Sequence, residues 1–457
     1  MAVGSVDNGT VNQTLAERWN GTTWSVVATP DTSTTLDNVL GGVSCLTSSF
    51  CVAVGNASNG TADQTLVEQW NGTSWSIVTS PNVTTLHDND LNAVSCATPS
   101  FCEAVGASSN GTADQALVEE WNGATWTTMT TPNPPSSVSA SLSGVSCPST
   151  TFCQAVGDFN HGSGNSTLAE QWNGTTWSVA ASPNNPAANG NYLDGVSCAG
   201  TSFCVAVGEA YLSSGPVNVV EQWNGSTWSV ASAPDANAAF GDLLIAVDCF
   251  GPTSCVATGY VNTINNSDNT YITQVLTWNG STWALESVPE PAATAQQDQL
   301  NGVSCVAGDV CIGAGYATVG SSNLQTLVLS APITRPGYDE VASDGGIFNF
   351  DEAGFYGSLG SLVLNKPIVG MAATPDGGGY WLAASDGGIF AKGDAGFFGS
   401  EGGTVLNKPV VGMAATPDGQ GYWEVASDGG IFTKGDAGFF GSMGGKPLNR
   451  PIVGMGA

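Results

Sequence analysis

Along the first three-quarters of the chain, apolar residues fall in short alternating runs separated by clusters of Asn, Gly, Ser, Thr and Pro. This is the pattern of many brief, half-buried strands joined by turns. The segment 91–131 shows it in full. Val94-Ser95-Cys96 and Cys102-Glu103-Ala104-Val105 make one candidate hairpin, and residues 117–121 and 126–129 make another. The unit then repeats: Trp-Asn-Gly-x-x-Trp stands at Trp19/Trp24, Trp70/Trp75, Trp121/Trp126, Trp172/Trp177, Trp223/Trp228 and Trp278/Trp283, at a step of 51 residues four times and then 55. A Leu-x-x-Val pattern, as at Leu91 to Val94 and Leu193 to Val196, precedes each cysteine pair. Four short strands per unit at this period predict an all-β fold, a β-propeller of six to seven blades with seven the best count. The Asn-Gly between the paired tryptophans predicts a tight type I′ turn.

Met1-Ala2-Val3-Gly4 aligns with Val52-Ala53-Val54-Gly55, and residues 300–330 supply three strands of a seventh unit without its Trp-Asn-Gly hairpin. Incomplete first and last blades are therefore expected, with the missing first strand and an export signal lying upstream. The opening residues themselves have neither the charged nor the apolar part of a signal peptide. The propeller is expected to span 1–332. From Tyr338 the period becomes 42, with Ala-Ser-Asp-Gly-Gly-Ile-Phe beginning at Ala342, Ala384 and Ala426, and Pro-Ile/Val-Val-Gly-Met beginning at Pro367, Pro409 and Pro451. Residues 333–457 are expected to form a second β-repeat module, either a partial propeller or a β-trefoil, whose last copy ends at a fragment edge.

Cysteine sharpens this reading. All 12 cysteines fall in C-x5-C pairs: Cys45/Cys51, Cys96/Cys102, Cys147/Cys153, Cys198/Cys204, Cys249/Cys255 and Cys305/Cys311. Zinc would need closer spacing and more histidines than His87 and His161. Two cysteines flanking a short turn face each other across a hairpin, so six disulfides within blades are predicted, and with them an oxidising, extracellular or cell-surface location. The net charge of −30 is lopsided: residues 1–334 hold 25 acids and one base, Arg18, and the remainder holds 13 acids and seven bases. Such a surface does not neutralise phosphates, which argues against nucleic acid and anionic membrane as partners. No apolar run is long enough to span a bilayer.

The Trp-Asn-Gly-x-x-Trp hairpins resemble the second half of a kelch-type blade. The Val-Ser-Cys…Phe-Cys-Val-Ala-Val-Gly hairpins resemble repeats of exported proteins of high-GC Gram-positive bacteria. The Gly-Tyr-Trp-x-x-Ala-Ser-Asp-Gly-Gly-Ile-Phe unit is similar to repeats of their cell-wall-associated proteins, and its Asp-Gly-Gly-Ile-Phe string is similar to the sialidase Asp box without its leading serine. These resemblances imply an architecture rather than an activity.

Candidate chemistry is sparse. A sialidase site needs an arginine cluster, and a galactose-oxidase copper site needs two histidines near a cysteine-modified tyrosine. Neither is present, and no nucleotide, hydrolase or zinc-protease motif appears. The Trp pairs are expected to pack between blades, and the recurring Glu17, Glu68, Glu119, Glu170 and Glu221 to act as structural acceptors. The Asn-x-Ser/Thr sequons, such as Asn20, Asn71 and Asn173, are explained by turns. Asp7-Asn8-Gly9-Thr10 and similar Asn/Asp/Gly loops are candidates for calcium, and no other cofactor is expected. The cysteine and Asn-Gly turns keep nearly constant length. The opposite connections vary and carry Phe159, His161, Tyr192, Tyr211, Phe240, Tyr260, Tyr271 and Tyr316, with Asp194 and Asp242 nearby. Variable aromatic loops on a constant scaffold are where ligands bind. The expected role is non-enzymatic binding of a glycan, cell-wall polymer or protein. The rival reading is a glycoside hydrolase or lyase using carboxylates drawn from Asp90, Asp194, Asp242, Asp248 and Asp298.

Overall fold

The computed structural model describes residues 1–135, 137–236, 241–262, 271–288, 297–306, 310–319, 323–332, 338–350, 354–374, 378–416 and 419–455. Strands are the only regular elements among them. The chain divides into two compact units, Met1–Ile333 and Thr334–Ala457, at the change of repeat.

The first unit is a β-propeller array of seven antiparallel sheets in chain order. Blade 1 holds three strands, β1 (Ala2–Asp7), β2 (Asn12–Trp19) and β3 (Trp24–Val27). Blade 2 holds four, β4 (Asn38–Thr47), β5 (Phe50–Ser58), β6 (Asp63–Trp70) and β7 (Trp75–Ile77), paired in that order. Blades 3 to 6 (residues 89–129, 139–180, 191–230 and 242–285) repeat blade 2, and blade 7 (residues 298–332) keeps three strands. The strands run longer than the apolar runs predict: the first of blade 3 spans Asn89–Thr98. Ladder hydrogen bonding carries polar residues such as Asn89 and Thr98 into the sheet.

Each blade has two unlike faces, because alternation along a strand sends successive side chains to opposite sides. The valine face of one blade meets the sulfur face of the next. Val52, Val54 and Val67 of blade 2 pack on Leu91, Cys96, Cys102, Leu117, Trp121 and Trp126 of blade 3, and the other five junctions repeat the scheme. The tryptophan pairs of blades 2 to 6 therefore pack between blades, with ring centroids 5.7 to 5.9 Å apart. Trp19, on the sulfur face of blade 1, is 40% exposed. The recurring leucines, Leu40, Leu91, Leu142, Leu193, Leu244 and Leu300, are at most 2% exposed, each contributing roughly 2 kcal/mol by burial.

Polar groups tie the same junctions. The N–H of Cys96 donates to Ser44 Oγ of the preceding blade at 3.1 Å, and Cys147 to Ser95, Cys198 to Ser146 and Cys249 to Ser197 repeat the bond. The Val-Ser-Cys string is thus a ladder linking blades. Glu119, Glu170 and Glu221 accept from Ser80, Thr131 and Ser182 of the preceding connection, the structural role expected of them, whereas Glu68 departs from it, buried with neither carboxyl oxygen hydrogen-bonded.

All six disulfides form within blades, as Cys45–Cys51, Cys96–Cys102, Cys147–Cys153, Cys198–Cys204, Cys249–Cys255 and Cys305–Cys311, across strand pairs whose Cα atoms are 3.9 to 4.1 Å apart. The pairing matches the sequence reading. The second of each pair, Cys51, Cys102, Cys153, Cys204, Cys255 and Cys311, is at most 3% exposed. Each stands on the second strand of its blade and belongs to the apolar cluster shared with the blade before. The bridges are therefore interior packing groups as well as crosslinks, and their second sulfurs are closed to a ligand.

In blades 2 to 6 the first tryptophan of each pair pins the cysteine turn: Trp70 Nε1 donates to Ser48 O at 3.1 Å and Trp121 Nε1 to Pro99 O at 3.1 Å, and Trp172, Trp223 and Trp278 repeat the bond. The Asn-Gly turn differs from the two-residue type expected. Trp70 pairs directly with Trp75, leaving a four-residue loop. In it Asn71 Oδ1 accepts the N–H of both Thr73 and Ser74, and Gly72 takes φ 98°. The asparagine side chain substitutes for a backbone acceptor and so makes room for two more residues.

In the second unit, Tyr338–Val341 pairs with Ile347–Phe350, and two three-stranded sheets follow, Ile368–Ala373/Gly379–Ala384/Ile389–Gly393 and Val410–Ala415/Gly421–Ala426/Ile431–Gly435. Each repeat is its own sheet, with first strands of successive repeats side by side. This is blade-like rather than the shared barrel of a trefoil. Tyr380 and Tyr422 are buried and donate their hydroxyls to Gly357 O and Gly399 O of the preceding repeat, at 2.7 and 2.6 Å.

Candidate functional site

A glycine in the second strand of each blade sets the site's geometry. A Cβ on Gly55, Gly106, Gly157, Gly208, Gly259 or Gly315 would lie 1.9 to 2.2 Å from a carbonyl oxygen of the innermost strand. That crowding occurs where the innermost strand takes on one extra residue, a bulge at Gly41, Asn92, Ser143, Asp194, Ile245 and Asn301 in blades 2 to 7. A bulge re-aims its neighbours. The residue after the glycine then stands opposite the one before the recurring leucine: Asp158 opposite Ser141, Glu209 opposite Tyr192, Tyr260 opposite Leu243 and Tyr316 opposite Gln299. Directly opposed residues share a face.

In blades 4 to 7 these positions gather carboxyls and tyrosines. Asp194, on the bulge, hydrogen-bonds Glu209, and Glu209 also hydrogen-bonds Tyr211. The Tyr192 ring meets Tyr211 edge-on at 5.6 Å, and Tyr260 and Tyr271 lie 4.7 Å apart. Asp158 accepts from Asn165 Nδ2 at 2.6 Å and is within electrostatic reach of Asp194 and Tyr192. Tyr260 in turn senses Tyr211, Glu209 and Tyr316. Burial pushes the Asp194 and Glu209 carboxyls up, and their mutual hydrogen bond keeps a proton on Glu209 at neutral pH. Burial also lifts Asp158 to about 6, against the opposing hydrogen bond from Asn165. The cluster thus offers phenol and carboxylic O–H donors, carboxylate acceptors and ring faces. No arginine or lysine of the first unit joins it, since Arg18 is the single base in residues 1–334 and lies in blade 1.

The predicted residues sort into several environments. Tyr192, Asp194, Tyr211 and Tyr260 come together, with Tyr271 and Tyr316. Phe159 does not: one residue along from Asp158, it points to the other face and packs with Ala140 and Leu142 in the junction of blades 3 and 4. Phe240 lies outside the described residues. Asp242 is fully buried and Asp298 is 2% exposed. They hold the place of Asn38 and Asn89, whose side chains pin the preceding connection: Asn38 accepts from Thr32 N and donates to Ser33 O and Leu36 O. Asp248 takes the ladder position, accepting from Cys305 N at 2.8 Å and Ser197 Oγ at 3.2 Å, and Asp90 accepts from Asn56. His161 pairs with Ser163 at 3.0 Å. In the calcium candidate, Asp7 Oδ1 and Asn8 Oδ1 accept the N–H of Gly9 and Thr10, so both oxygens serve their own turn. Among the described residues no three His, Cys, Asp or Glu side chains are grouped to hold a metal.

Asp158 and Glu209 were not singled out from sequence. Their signal was positional: both directly follow the glycine of Val-Gly, where other blades carry Asn56 and Ala107.

No protein-family profile and no curated protein matches the chain. Among solved structures it is similar to a GH74 enzyme of Niastella koreensis at 12% identity and TM-score 0.38, covering 87% of this chain and 64% of that one. It is also similar to U3-55K at 10% identity and TM-score 0.36, covering 85% and 88%, and to the RRP9 WD40 repeats at 9% and 0.36, covering 90% and 92%. The chain spans about 64% of the length of the GH74 enzyme. Similarity at this level transfers no activity, substrate or partner.

Proposed function

We propose that this chain is a non-enzymatic extracellular binding module that holds a neutral glycan segment, as in a cell-wall polymer, against the tyrosine and carboxyl cluster of blades 4 to 7. The observation that carries the reading is the convergence of Tyr192, Tyr211, Tyr260, Asp194 and Glu209 from neighbouring blades onto positions that differ from blade to blade in an otherwise repeating scaffold. Tyrosine rings stack on sugar faces, and the mixed donors and acceptors suit hydroxyl groups. The acidic surface disfavours anionic polymers, and six disulfides fit an oxidising compartment. The kelch-like and cell-wall-repeat resemblances point the same way. The test is a pull-down on purified cell walls and an array of neutral oligosaccharides, comparing wild type with Tyr211→Ala and Tyr260→Ala. A tenfold loss in both variants is expected, and undiminished binding overturns the proposal.

The hydrolase reading draws on the same carboxyls, since Glu209 is held protonated beside Asp194 as a general acid would be. Their direct hydrogen bond counts against it, because retaining and inverting glycosidases hold their carboxyls at least about 5 Å apart. Release of reducing ends that disappears in Glu209→Gln would favour it.

A further inference from the structure

The junction of blades 5 and 6 breaks a rule that the three before it keep. At those three, Glu119, Glu170 and Glu221 accept from Ser80, Thr131 and Ser182 across the junction. At the next, the same two places hold Leu276 and Ala233, both packed into the apolar cluster there. Beside Ala233 a cleft of about 480 Å³ lies between the segment following the outermost strand of blade 5 and the tryptophan hairpin of blade 6. That size is within the range of small-ligand pockets. Trp278 forms one wall and is half-buried, where Trp70, Trp121, Trp172 and Trp223 are at most 7% exposed. Gln222 lines the cleft from the blade 5 side; Arg18, at the corresponding place in blade 1, lies over the Trp70 ring at 5.5 Å. Two buried donors of the lining, Gln222 Nε2 and Trp283 Nε1, have no acceptor among the described residues, and Trp283 is 6% exposed. Trp75, Trp177 and Trp228 share the unpaired indole N–H, but here it lines a cleft together with a second unpaired donor. None of the described residues lining the cleft is charged.

We infer that this cleft is a second sugar-binding site, separate from the tyrosine cluster, and that it takes one N-acetylhexosamine residue. Each part of such a residue has a counterpart. A pyranose presents an apolar C–H face, which stacks on an accessible indole, here Trp278. An acetamido carbonyl oxygen carries two lone pairs and accepts from both Gln222 Nε2 and Trp283 Nε1, donors that are costly to leave buried and unmatched. The acetamido methyl meets the small apolar wall of Ala231, Ala233 and Pro234. Ser232, exposed at the mouth, serves a ring hydroxyl. A plain hexose sets a hydroxyl in place of the carbonyl and methyl, so it matches the donors less well and places a polar group against the alanines. The inference does not rest on the tyrosine cluster. Tyr271 and Trp278 are the two ends of one strand, about 23 Å apart at roughly 3.3 Å per residue.

The probe is methyl N-acetyl-β-glucosaminide, with methyl β-glucoside as its control, titrated into the full chain while the indole N–H signals are followed by heteronuclear NMR. Saturable movement of the Trp283 signal, assigned from Trp283→Phe, is expected with the N-acetylated probe, and at least tenfold weaker binding with the glucoside. Gln222→Ala and Ala231→Met should each weaken binding of the N-acetylated probe at least fivefold. Blade 3 carries Met129 at the place of Ala231, so the second variant fills the cleft with a side chain the scaffold already accommodates, and melting temperatures check the fold of both. Tyr211→Ala and Tyr260→Ala should leave this titration unchanged, which separates failure of this site from failure of the tyrosine cluster. No saturable shift at Trp283 in the wild type, or a shift that survives both Gln222→Ala and Ala231→Met, overturns the inference. Equal affinity for the glucoside overturns it as well, since the acetamido group would then contribute nothing.

Discussion

At the scale of single residues, buried acids dominate. Glu103 is fully buried with neither carboxyl oxygen hydrogen-bonded, and burial lifts it from the usual 4.5 to about 9. Glu68 and Glu221 rise to about 8, again chiefly through burial. A raised folded-state value means the unfolded chain releases its proton first. The full stabilisation is present below pH 4.5 and is lost as pH climbs toward 9. Urea unfolding should therefore give lower stability at pH 8 than at pH 5. Glu103→Gln should flatten that slope and exceed wild type at pH 8 by on the order of 2 kcal/mol, and an unchanged slope contradicts the assignment. Glycines give a second contrast. Gly106→Ala drives a methyl to 1.9 Å from Asp90 O and should cost about 3 kcal/mol, measured by the same unfolding, where Gly4→Ala should cost nothing. The cysteine pairs, the tryptophans and the acceptor role of Glu119, Glu170 and Glu221 were legible in the sequence because each recurs in register, but Glu68, at the same place in the repeat, accepts no hydrogen bond. Asp158 and Glu209 were not, because which side of a strand faces the cluster depends on a bulge that single-sequence periodicity does not reveal.

At the scale of the element, the blade is a sheet stitched at one end. The disulfide, the indole bond and the Asn-Gly-x-x loop all lie there, and the other end is left to variable connections. Replacing Cys96 and Cys102 together by alanine should lower stability by about 2 kcal/mol. Ser95→Ala, which removes the acceptor of Cys147 N–H, should cost about 1 kcal/mol. Because Ser95 directly precedes Cys96 on one strand, the two changes should couple, and the combined variant should depart from the sum of the single losses by at least about 0.5 kcal/mol; strict additivity would contradict this. The pairing of the cysteines was readable from their spacing, whereas the burial of Cys51, Cys153, Cys204, Cys255 and Cys311 was not, because it depends on the neighbouring blade that covers them. The hairpin between tryptophans was recognisable from its Asn-Gly pair, yet its length was misjudged. Only the direct opposition of Trp70 and Trp75 shows that four residues, not two, make the loop.

At the scale of the molecule, the period of 51 was sufficient to foresee seven sheets. It did not foresee the two-faced construction, since valine and sulfur faces separate only once strand direction and register are known. The charge of −24 on residues 1–334 should keep the protein from heparin and duplex DNA at physiological ionic strength. Retention on a heparin column at about 150 mM salt, where charges are screened beyond roughly 8 Å, would contradict this.

Each of the four junctions from blade 2 to blade 6 joins the same two surfaces in the same direction, serine and valine from one side, cysteine and tryptophan from the other. A whole unit gained or lost by in-frame recombination would leave each remaining seam chemically unaltered. The number of units can then change without any of these seams being rebuilt.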